Sequence, residues 1–195
     1  MSFRKFLKDT STPGAVFCFG RFNPAHRLHA SLWKFVYDYG RKNKMDSIIF
    51  TSMSTNQKKN PLAPGEKIAY IQKFCNKISP KLQVSNDQSL KNTQQIVKSL
   101  IEKGYQRITF VVGGDRTNDF QPFIKQVQKF AEDAGASVEF KLETFSARVA
   151  GYSGTQMREY VKEGGFKSFK ASLPKGLTEK ESKEMFNKVR EGLGL

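Results

Sequence analysis

The sequence predicts an α/β fold: an open, parallel, five-stranded sheet with helices on both faces, followed by a C-terminal helical appendage. Two observations predict it. Apolar runs of strand length alternate with segments of helical apolar spacing along the whole chain. The clearest run, RITFVVGG over 107–114, is dominated by apolar residues, as parallel strands buried on both faces are. Such alternation builds βαβ units with right-handed crossovers, and ligands bind beyond the carboxyl ends of their strands.

Each element has its own signal in the sequence. The Pro13-Gly14 turn precedes the first strand, and Gly104 is a natural stop for the third helix. A polar loop with two prolines, STNQKKNPLAP, separates the second strand from the second helix. The predicted strands are 15–22, 47–53, 82–86, 107–114 and 137–145, and the predicted helices are 25–44, 65–78, 89–105, 119–135 and 153–165, with two short helices beyond them.

The length of 195 residues predicts a main domain over 1–165 with a helical appendage over 166–195 packed on it. The longest apolar candidate, AVFCF, is far shorter than the roughly 20 residues that cross a membrane. The basic N-terminus has no apolar signal core. Cys18 and Cys75 are too few for a disulfide framework or a zinc cluster. We therefore expect a cytoplasmic protein with no membrane association.

The chain is strongly basic, with 33 Lys and Arg against 18 Asp and Glu and a net charge of +15. Residues 1–97 hold 16 basic and 5 acidic side chains, whereas residues 98–195 hold 17 and 13. Such a field attracts nucleic acid, a nucleotide or another polyanion. A solvated lysine surface explains the same surplus equally well, and no run of five basic residues occurs. Charge therefore indicates the sign of the ligand and not its identity.

Both histidines of the chain, His26 and His29, lie in the segment GRFNPAHRLH after the first strand. Side chains three apart share a helix face, and a helix N-terminus attracts phosphate through its free N–H groups. Gly20 lets the backbone approach a ligand, and Pro24 stiffens the entry to the helix. A capping histidine or a metal pair are the alternatives, but no further histidine or cysteine pair completes a metal shell. The pattern favours a phosphate site.

Two other loops carry weaker signals. Lys58 and Lys59 follow the second strand, where a loop can close over an anion or remain solvated. Gly113, Gly114 and Asp115 follow the fourth strand. The glycines allow close approach of a sugar or base, and Asp115 either accepts ribose hydroxyls or caps the next helix.

The segment Tyr152 to Arg158, YSGTQMR, opens the fifth helix. Ser153 or Thr155 can cap that helix, which leaves its first N–H groups facing an incoming phosphate. Arg158, one turn further, presents a planar fork suited to two phosphate oxygens. An ordinary capped helix with a surface arginine is the alternative. Combined with the histidine pair, the segment favours a site for several phosphates.

These segments resemble a known family. GRFNPAHRLH is similar to the GxFxPxHxGH signature of the HIGH-type nucleotidyltransferase superfamily, and SGTQMR is similar to its second signature, ISGTxxR. The segments KKNPLAPGEKIAYIQKF, VVGGDRTNDF and GGFKSFKASLP resemble the version encoded by tailed bacteriophages. The resemblance covers nearly the whole chain. It implies a Rossmann-like fold and, for a phage-encoded protein, action in the host cytoplasm.

The resemblance also implies a reaction: nucleotidyl transfer from an NTP to a phosphorylated acceptor, with release of pyrophosphate. Catalysis is then positioning plus neutralisation of charge, and Mg²⁺ is carried on the NTP rather than in a protein metal site. Of the two lysines, one is a candidate for the acceptor phosphate. By resemblance, the catalytic residues are His26, His29, Arg158, Lys58 and Lys59; the nucleotide-binding residues are Gly20, Arg21, Phe22, Asn23, Gly113, Asp115, Ser153, Gly154 and Thr155; and Arg148 contacts the acceptor.

One position departs from the signature, because Leu28 stands where the family has glycine. The leucine either crowds the nucleotide or points into the core. The arginine after SGTxx is typical of adenylyltransferases and favours ATP, with nicotinamide mononucleotide as the leading acceptor, while CTP is the alternative nucleotide. Two other hypotheses are a catalytically impaired homologue serving as a nucleotide-binding or virion assembly protein, and a basic nucleic-acid-binding protein. A homo-oligomer is compatible with each.

Overall fold

The computed structural model describes residues 12–114, 120–146 and 152–195. Within them, five strands and seven helices follow one another in the predicted order. The strands are β1 (Gly14–Gly20), β2 (Asp46–Thr51), β3 (Gln83–Val84), β4 (Arg107–Gly113) and β5 (Glu139–Phe145). The helices are α1 (Arg27–Asn43), α2 (Pro64–Ile78), α3 (Thr93–Glu102), α4 (Gln121–Asp133), α5 (Gly154–Lys162), α6 (Phe166–Ser172) and α7 (Glu179–Gly192).

All neighbouring strands are parallel, and they lie in the order β3-β2-β1-β4-β5. The order reverses at β1, which pairs with β2 on one side and with β4 on the other. A crevice therefore opens beyond the carboxyl ends of β1 and β4, the usual ligand position in such sheets. The predicted Rossmann-like α/β fold is confirmed, and the histidine segment begins at this crevice.

Hydrophobic residues cover both faces of the sheet. Val16 and Cys18 of β1 enter a core shared with α1, α2, α5, α6 and α7. Ala15 and Phe17 enter the other core, with α3 and α4, where Phe17 stacks on Phe110 at 4.7 Å between ring centroids. The alternation along β1 is what a central strand between two helical layers requires.

The predicted face of α1 packs on the core, but its most buried residues lie at one side of that face. The spacing indicated Leu28, Leu32, Phe35, Val36 and Tyr39, whereas the fully buried residues are Trp33, Val36 and Gly40. Gly40 packs so closely on β2 that a Cβ there would lie 2.1 Å from Ser47 Oγ. Leu32, Phe35 and Tyr39 are partly buried against the same core, and His29 stacks beside Trp33 at 6.2 Å between ring centroids.

The third helix is shorter than predicted, beginning at Thr93 instead of residue 89. The Asn92 side chain accepts a hydrogen bond from the Gln95 N–H at 2.9 Å. Because this cap satisfies one of the free donors of the first turn, the helix begins there.

The C-terminal helices share the core of the main sheet. Phe169 of α6 and Phe186 of α7 are buried and pack edge to face at 5.3 Å. Gly192 lies so close to the loop before α2 that a Cβ would be 2.0 Å from the Pro61 carbonyl oxygen. Lys188 forms an ion pair with Glu66 of α2. The appendage therefore supports the loop after β2 from behind.

Candidate functional site

The loop between β1 and α1 is shaped by Phe22. This residue has a left-handed backbone with a φ of 45°, and its ring fills the space that a Cβ on Gly20 would need, at 2.5 Å. The ring packs edge-on against His29 at 4.8 Å and against Trp33 at 5.3 Å. Gly20 is therefore required by the packing of Phe22, and the side chain of Phe22 acts by holding the histidine that follows.

The two histidines form a stacked pair. Their ring centroids are 3.6 Å apart, and the His26 backbone N–H donates to Nδ1 of His29 at 3.2 Å. Because Nδ1 accepts, the proton of a neutral His29 ring lies on Nε2. His26 is only 4% exposed, and its Nδ1 has no hydrogen-bond partner within the described residues. His26 occupies the N-cap position of α1, at the positive end of its dipole.

Burial sets the charge of this pair. It lowers the pKa of His26 to about 4. The pKa of His29 is also held well below its usual value, first by burial and then by His26. Both rings are therefore neutral at pH 7, and in the unliganded protein they contribute N–H donors rather than positive charge.

Asn23 joins the loop after β1 to the loop after β2. Its amide oxygen accepts from the Leu62 N–H at 3.0 Å, and its Nδ2 donates to the Leu62 carbonyl at 3.0 Å. Asn23 is 3% exposed. The sequence predicted nucleotide contact for this residue, but its side chain is engaged with protein backbone, so any direct contact with a ligand falls to its backbone.

Lys58 and Lys59 lie in a tight turn closed by Asn56 and Asn60. The backbones of Asn56 and Asn60 exchange hydrogen bonds at 3.1 and 3.0 Å, and the Lys59 N–H donates to Asn56 Oδ1 at 2.6 Å. Both lysine side chains are exposed. The turn thus presents two cations to solvent on a hydrogen-bonded frame.

Arg158 is the residue at which the segments meet. Its Nη1 donates to the Asn23 carbonyl at 3.1 Å and to the Lys59 carbonyl at 3.4 Å, while Nη2 donates to Thr155 Oγ1 at 3.1 Å. A Cβ on Gly154 would lie 3.2 Å from Nη1, so the glycine leaves room for the guanidinium. One side chain therefore connects the loops after β1 and β2 with the first turn of α5.

The N-terminus of α5 is capped and cationic. Ser153 Oγ accepts from the Gln156 N–H at 3.0 Å. Burial lowers the pKa of Arg158, and so does the nearby cation of Arg21, whereas Glu159 opposes them. Two guanidinium groups held near each other at the positive end of a helix form a site that favours an anion.

The other predicted site residues lie in different parts of the chain, and two of them are not described. Gly113 is the last residue of β4, next to β1 in the sheet. Leu28 is half-buried in the first turn of α1. Asp115 and Arg148 lie outside the described residues. The structure thus brings together Gly20, Arg21, Phe22, Asn23, His26, His29, Lys59, Gly154, Thr155 and Arg158 through the contacts given above, with Ser153 as the cap of the same helix and Lys58 on the adjoining turn.

The sequence interpretation missed Lys67. This lysine of α2 is 1% exposed, and its ammonium donates to the carbonyl and hydroxyl of Ser52, the residue after β2. Burial lowers its pKa to about 8. The available signal was helical spacing, because Lys67 lies one turn before Ile71 on the buried face of α2. Lys67 fixes the start of the loop that carries Lys58 and Lys59.

Two cavities flank the sheet at opposite ends. One of about 480 Å³ lies at the amino ends of the strands, among Gly14, Arg41 and Met45, away from the histidines. The other, of about 430 Å³, lies at the carboxyl ends, between the first turns of α3 and α4. Its lining in the described chain is uncharged: Asn92, Thr93, Gln94, Phe120, Pro122, Phe123 and Gln126.

No group of three or more histidine, cysteine or acidic residues in the described ranges is arranged to hold a metal ion. In the same ranges, no helix is both long enough and apolar enough to cross a membrane.

A family model matches most of this chain. The model of the family described as cytidylyltransferase-like matches residues 17–160, which includes the loop after β1 and the first turns of α5. A crystal structure of Thermotoga maritima TmcAL bound with alpha-thio ATP is similar over 93% of this chain, at 11% identity and a TM-score of 0.47. The chain spans 56% of the length of that protein. A search of the curated proteins finds no match.

Proposed function

The chain belongs to the cytidylyltransferase-like family, and on that premise we propose that it transfers an adenylyl group from ATP to a phosphorylated acceptor. The observation that carries the proposal is the position of Arg158. It lies between the loop of His26 and His29, the turn of Lys58 and Lys59, and the capped N-terminus of α5. Phosphoryl chemistry needs such a convergence, because it depends on positioning and on neutralising charge.

In the proposed reaction, an oxygen of the acceptor phosphate attacks the α-phosphorus of the nucleotide in line. The bond from that phosphorus to the bridging oxygen breaks, and pyrophosphate leaves with the electron pair. The acceptor oxygen is already anionic, so no side chain has to remove a proton from it. Nε2–H of His29 donates to the α-phosphate region, which it can do as a neutral ring.

Arg158 and the first N–H groups of α5 hold the β- and γ-phosphates. The guanidinium already has three acceptors, and its charge is brought near that of Arg21. A triphosphate relieves the repulsion between the two cations, which favours binding. Mg²⁺ enters on the triphosphate oxygens, since the described site residues supply imidazole, guanidinium and ammonium groups rather than clustered carboxylates.

The acceptor is proposed to occupy the second cavity. It opens at the carboxyl edge of the sheet, and its described lining combines two aromatic rings with amide side chains and carries no charge. The aromatic rings can stack on a flat heterocycle, including the cationic pyridinium ring of nicotinamide mononucleotide, and the amide side chains can pair with its carboxamide. Lys58 or Lys59 stays the candidate for its phosphate. Nicotinamide mononucleotide is therefore the leading acceptor. Arg148, outside the described residues, stays a candidate contact.

CTP is the second candidate nucleotide, because the matching family is described as cytidylyltransferase-like. The decisive experiment measures the melting temperature with ATP and with CTP, each with Mg²⁺, followed by pyrophosphate release with a panel of phosphorylated acceptors. A ligand that binds only the folded state raises the melting temperature. We expect a rise with ATP that exceeds the rise with CTP, and turnover with a nucleotide-monophosphate acceptor.

The same experiment separates the alternatives. A rise in melting temperature without turnover on any acceptor supports a nucleotide-binding homologue that has lost activity. Neither a rise nor turnover, in protein shown to be folded, contradicts the proposal. DNA binding that ATP does not compete with favours a nucleic-acid role for the +15 charge.

A further inference from the structure

The outer edge of β5 is a second surface with a specific pattern. β5 is the last strand of the sheet and pairs with β4 on one side; no strand in the described parts of the chain pairs with its other side. The Glu139 N–H donates to the Gln106 carbonyl at 2.8 Å, so Glu139 directs its backbone groups inward. Because strand residues alternate, Lys141 and Glu143 do the same, and Leu142 directs its N–H and carbonyl outward.

The side chains on this strand divide between the two faces. Phe140 and Leu142 pack on the core of α3 and α4, with the Phe140 ring 5.8 Å from Phe123. Lys141 lies on the opposite face and forms an ion pair with Glu139 at 2.5 Å. Glu143 is on the same face, two residues further along. Charges of alternating sign therefore follow one face of a strand whose outer edge pairs with no strand of the described ranges.

We propose that β5 pairs with β5 of a second copy of this chain, antiparallel and centred on Leu142. In that register the two Leu142 residues exchange both backbone hydrogen bonds. Lys141 then lies directly opposite Glu143 of the partner subunit, and Glu143 lies opposite the partner's Lys141. These are non-hydrogen-bonded pairs, in which opposed Cα atoms are about 4.5 Å apart and side chains interact most closely.

The charge pattern selects this register over its neighbours. Backbone hydrogen bonds form only when an outward-facing residue of one strand lies opposite an outward-facing residue of the other. The two-fold axis between the strands can therefore pass through any residue of β5, and each position of the axis places different side chains opposite one another. Centring on Lys141 opposes lysine to lysine and Glu139 to the partner's Glu143. Centring on Glu143 opposes glutamate to glutamate. Like charges directly opposite are unfavourable, which disfavours both of these registers. Centring on Phe140 opposes Lys141 to the partner's Glu139, but it pairs only residues 139–141 of each strand, whereas the register on Leu142 pairs all seven residues of β5.

The pairing would join two five-stranded sheets into one and bury both edges. Because the two strands run in opposite directions, the carboxyl edges of the two sheets lie at opposite ends of the joined sheet, and both candidate sites stay open. The interaction is therefore independent of the proposed transferase activity, and it can be tested without any nucleotide.

The test uses charge reversal and sedimentation velocity over a range of protein concentration. Lys141→Glu opposes glutamate to glutamate, and Glu143→Lys opposes lysine to lysine. The double variant K141E/E143K restores opposite charges in the same places. The ionic strength is set near 0.15 M, where the Debye length of about 8 Å screens the repulsion between two chains of charge +15. Circular dichroism confirms that each variant is folded.

We expect the wild type to dimerise, each single variant to bind itself at least tenfold more weakly, and the double variant to recover. A mixture of K141E with E143K should form a heterodimer, because both facing pairs are then complementary. The Leu142 amide should exchange hydrogen more slowly at high protein concentration than at low. A wild type that stays monomeric at the highest concentration overturns the proposal. So does equal association of all variants, or a double variant as weak as the singles.

Discussion

The first turns of α1 and α5 both face the crevice, but they are built in different ways. At α1 the N-cap is His26, a buried neutral ring stacked on His29. At α5 the N-cap is Ser153, whose oxygen accepts from a backbone N–H, and the charged Arg158 lies one turn further. The first is positioned by aromatic packing, and the second by hydrogen bonds.

In the proposed reaction the two helix starts have separate tasks. Buried imidazoles with lowered pKa values add directed donors without adding charge. A half-buried guanidinium near a second one adds charge, and its hydrogen bonds within the described ranges go to two backbone carbonyls and a hydroxyl. Directed neutral donors suit the α-phosphorus, where charge is redistributed, and fixed cations suit the leaving pyrophosphate. The predictions below test this division.

The largest expected effect is at the charged helix start. Arg158→Ala should lower kcat/KM for nucleotidyl transfer by about a hundredfold, since it removes the cation that we propose faces the leaving phosphates. Arg158→Lys keeps the charge but cannot reach three acceptors at once, so it should recover only part of the loss. Steady-state pyrophosphate release measures both. Equal activity in the wild type and R158A would remove Arg158 from the site.

The next effect is at the neutral helix start. His29→Ala should lower kcat/KM at least tenfold, because it removes the proposed donor to the reacting phosphate. Two variants separate the hydrogen-bonding roles of the His29 ring, acceptance at Nδ1 and donation from Nε2. Asn can accept the His26 N–H as Nδ1 does, and Gln can place a donor near the position of Nε2. We expect H29Q to be more active than H29N; the reverse order would mean that His29 acts only through the cap.

A smaller effect is expected where the two helix starts are connected. Asn23→Ala removes both hydrogen bonds to Leu62, at a cost of about 1–3 kcal/mol for the backbone groups left unpaired. We expect a several-fold loss of kcat/KM and faster tryptic cleavage after Lys58 and Lys59. Asn23→Asp keeps the acceptor for the Leu62 N–H but loses the donor, so it should be intermediate.

Asn92→Ala is the control for this variant, because it removes another asparagine bond at the start of α3. It should destabilise the protein without changing the cleavage rate after the two lysines. If N23A and N92A change that rate equally, general destabilisation explains the effect and the connecting role of Asn23 is wrong.

The effect with the least consequence at neutral pH is the protonation of His26. Its pKa of about 4 in the folded protein lies below the value near 6.5 of an unfolded histidine. Between these values the unfolded state binds the proton and the folded state does not, so stability falls as the pH falls from 6.5 to 4. The loss amounts to about 3 kcal/mol for this group.

Urea unfolding from pH 7 to pH 4 measures this loss. His26→Asn removes one of the two histidines with lowered pKa values and should reduce the slope, leaving the part that His29 contributes. R158A should leave the slope unchanged because arginine does not titrate there. An unchanged slope in H26N would mean that His26 is not the source of the pH dependence.

Much of this molecule could be predicted from local sequence. The alternation of apolar runs and helical spacing predicted the five strands and the parallel sheet, since βαβ connection admits few other arrangements. The segments that supply the crevice residues were also predicted, namely GRFNPAHRLH and SGTQMR. Each lies at the start of a helix that follows a strand, and such junctions lie at the carboxyl edge of a parallel sheet. Lys67 could not be predicted in this way. A lysine in the first turn of a helix is usually exposed, and Lys67 is buried because its ammonium donates to the Ser52 carbonyl.

By itself the sequence determined the order of elements, the fold class and the residues at the carboxyl edge, because these depend on periodicity and chain direction. The tertiary structure decided how those residues act. It buried His26 and partly buried His29 and so lowered both pKa values, it engaged the Asn23 side chain with Leu62, and it brought Arg158 to the carbonyls of Asn23 and Lys59. Desolvation and contacts between segments 99 and 135 residues apart arise only when the chain has folded.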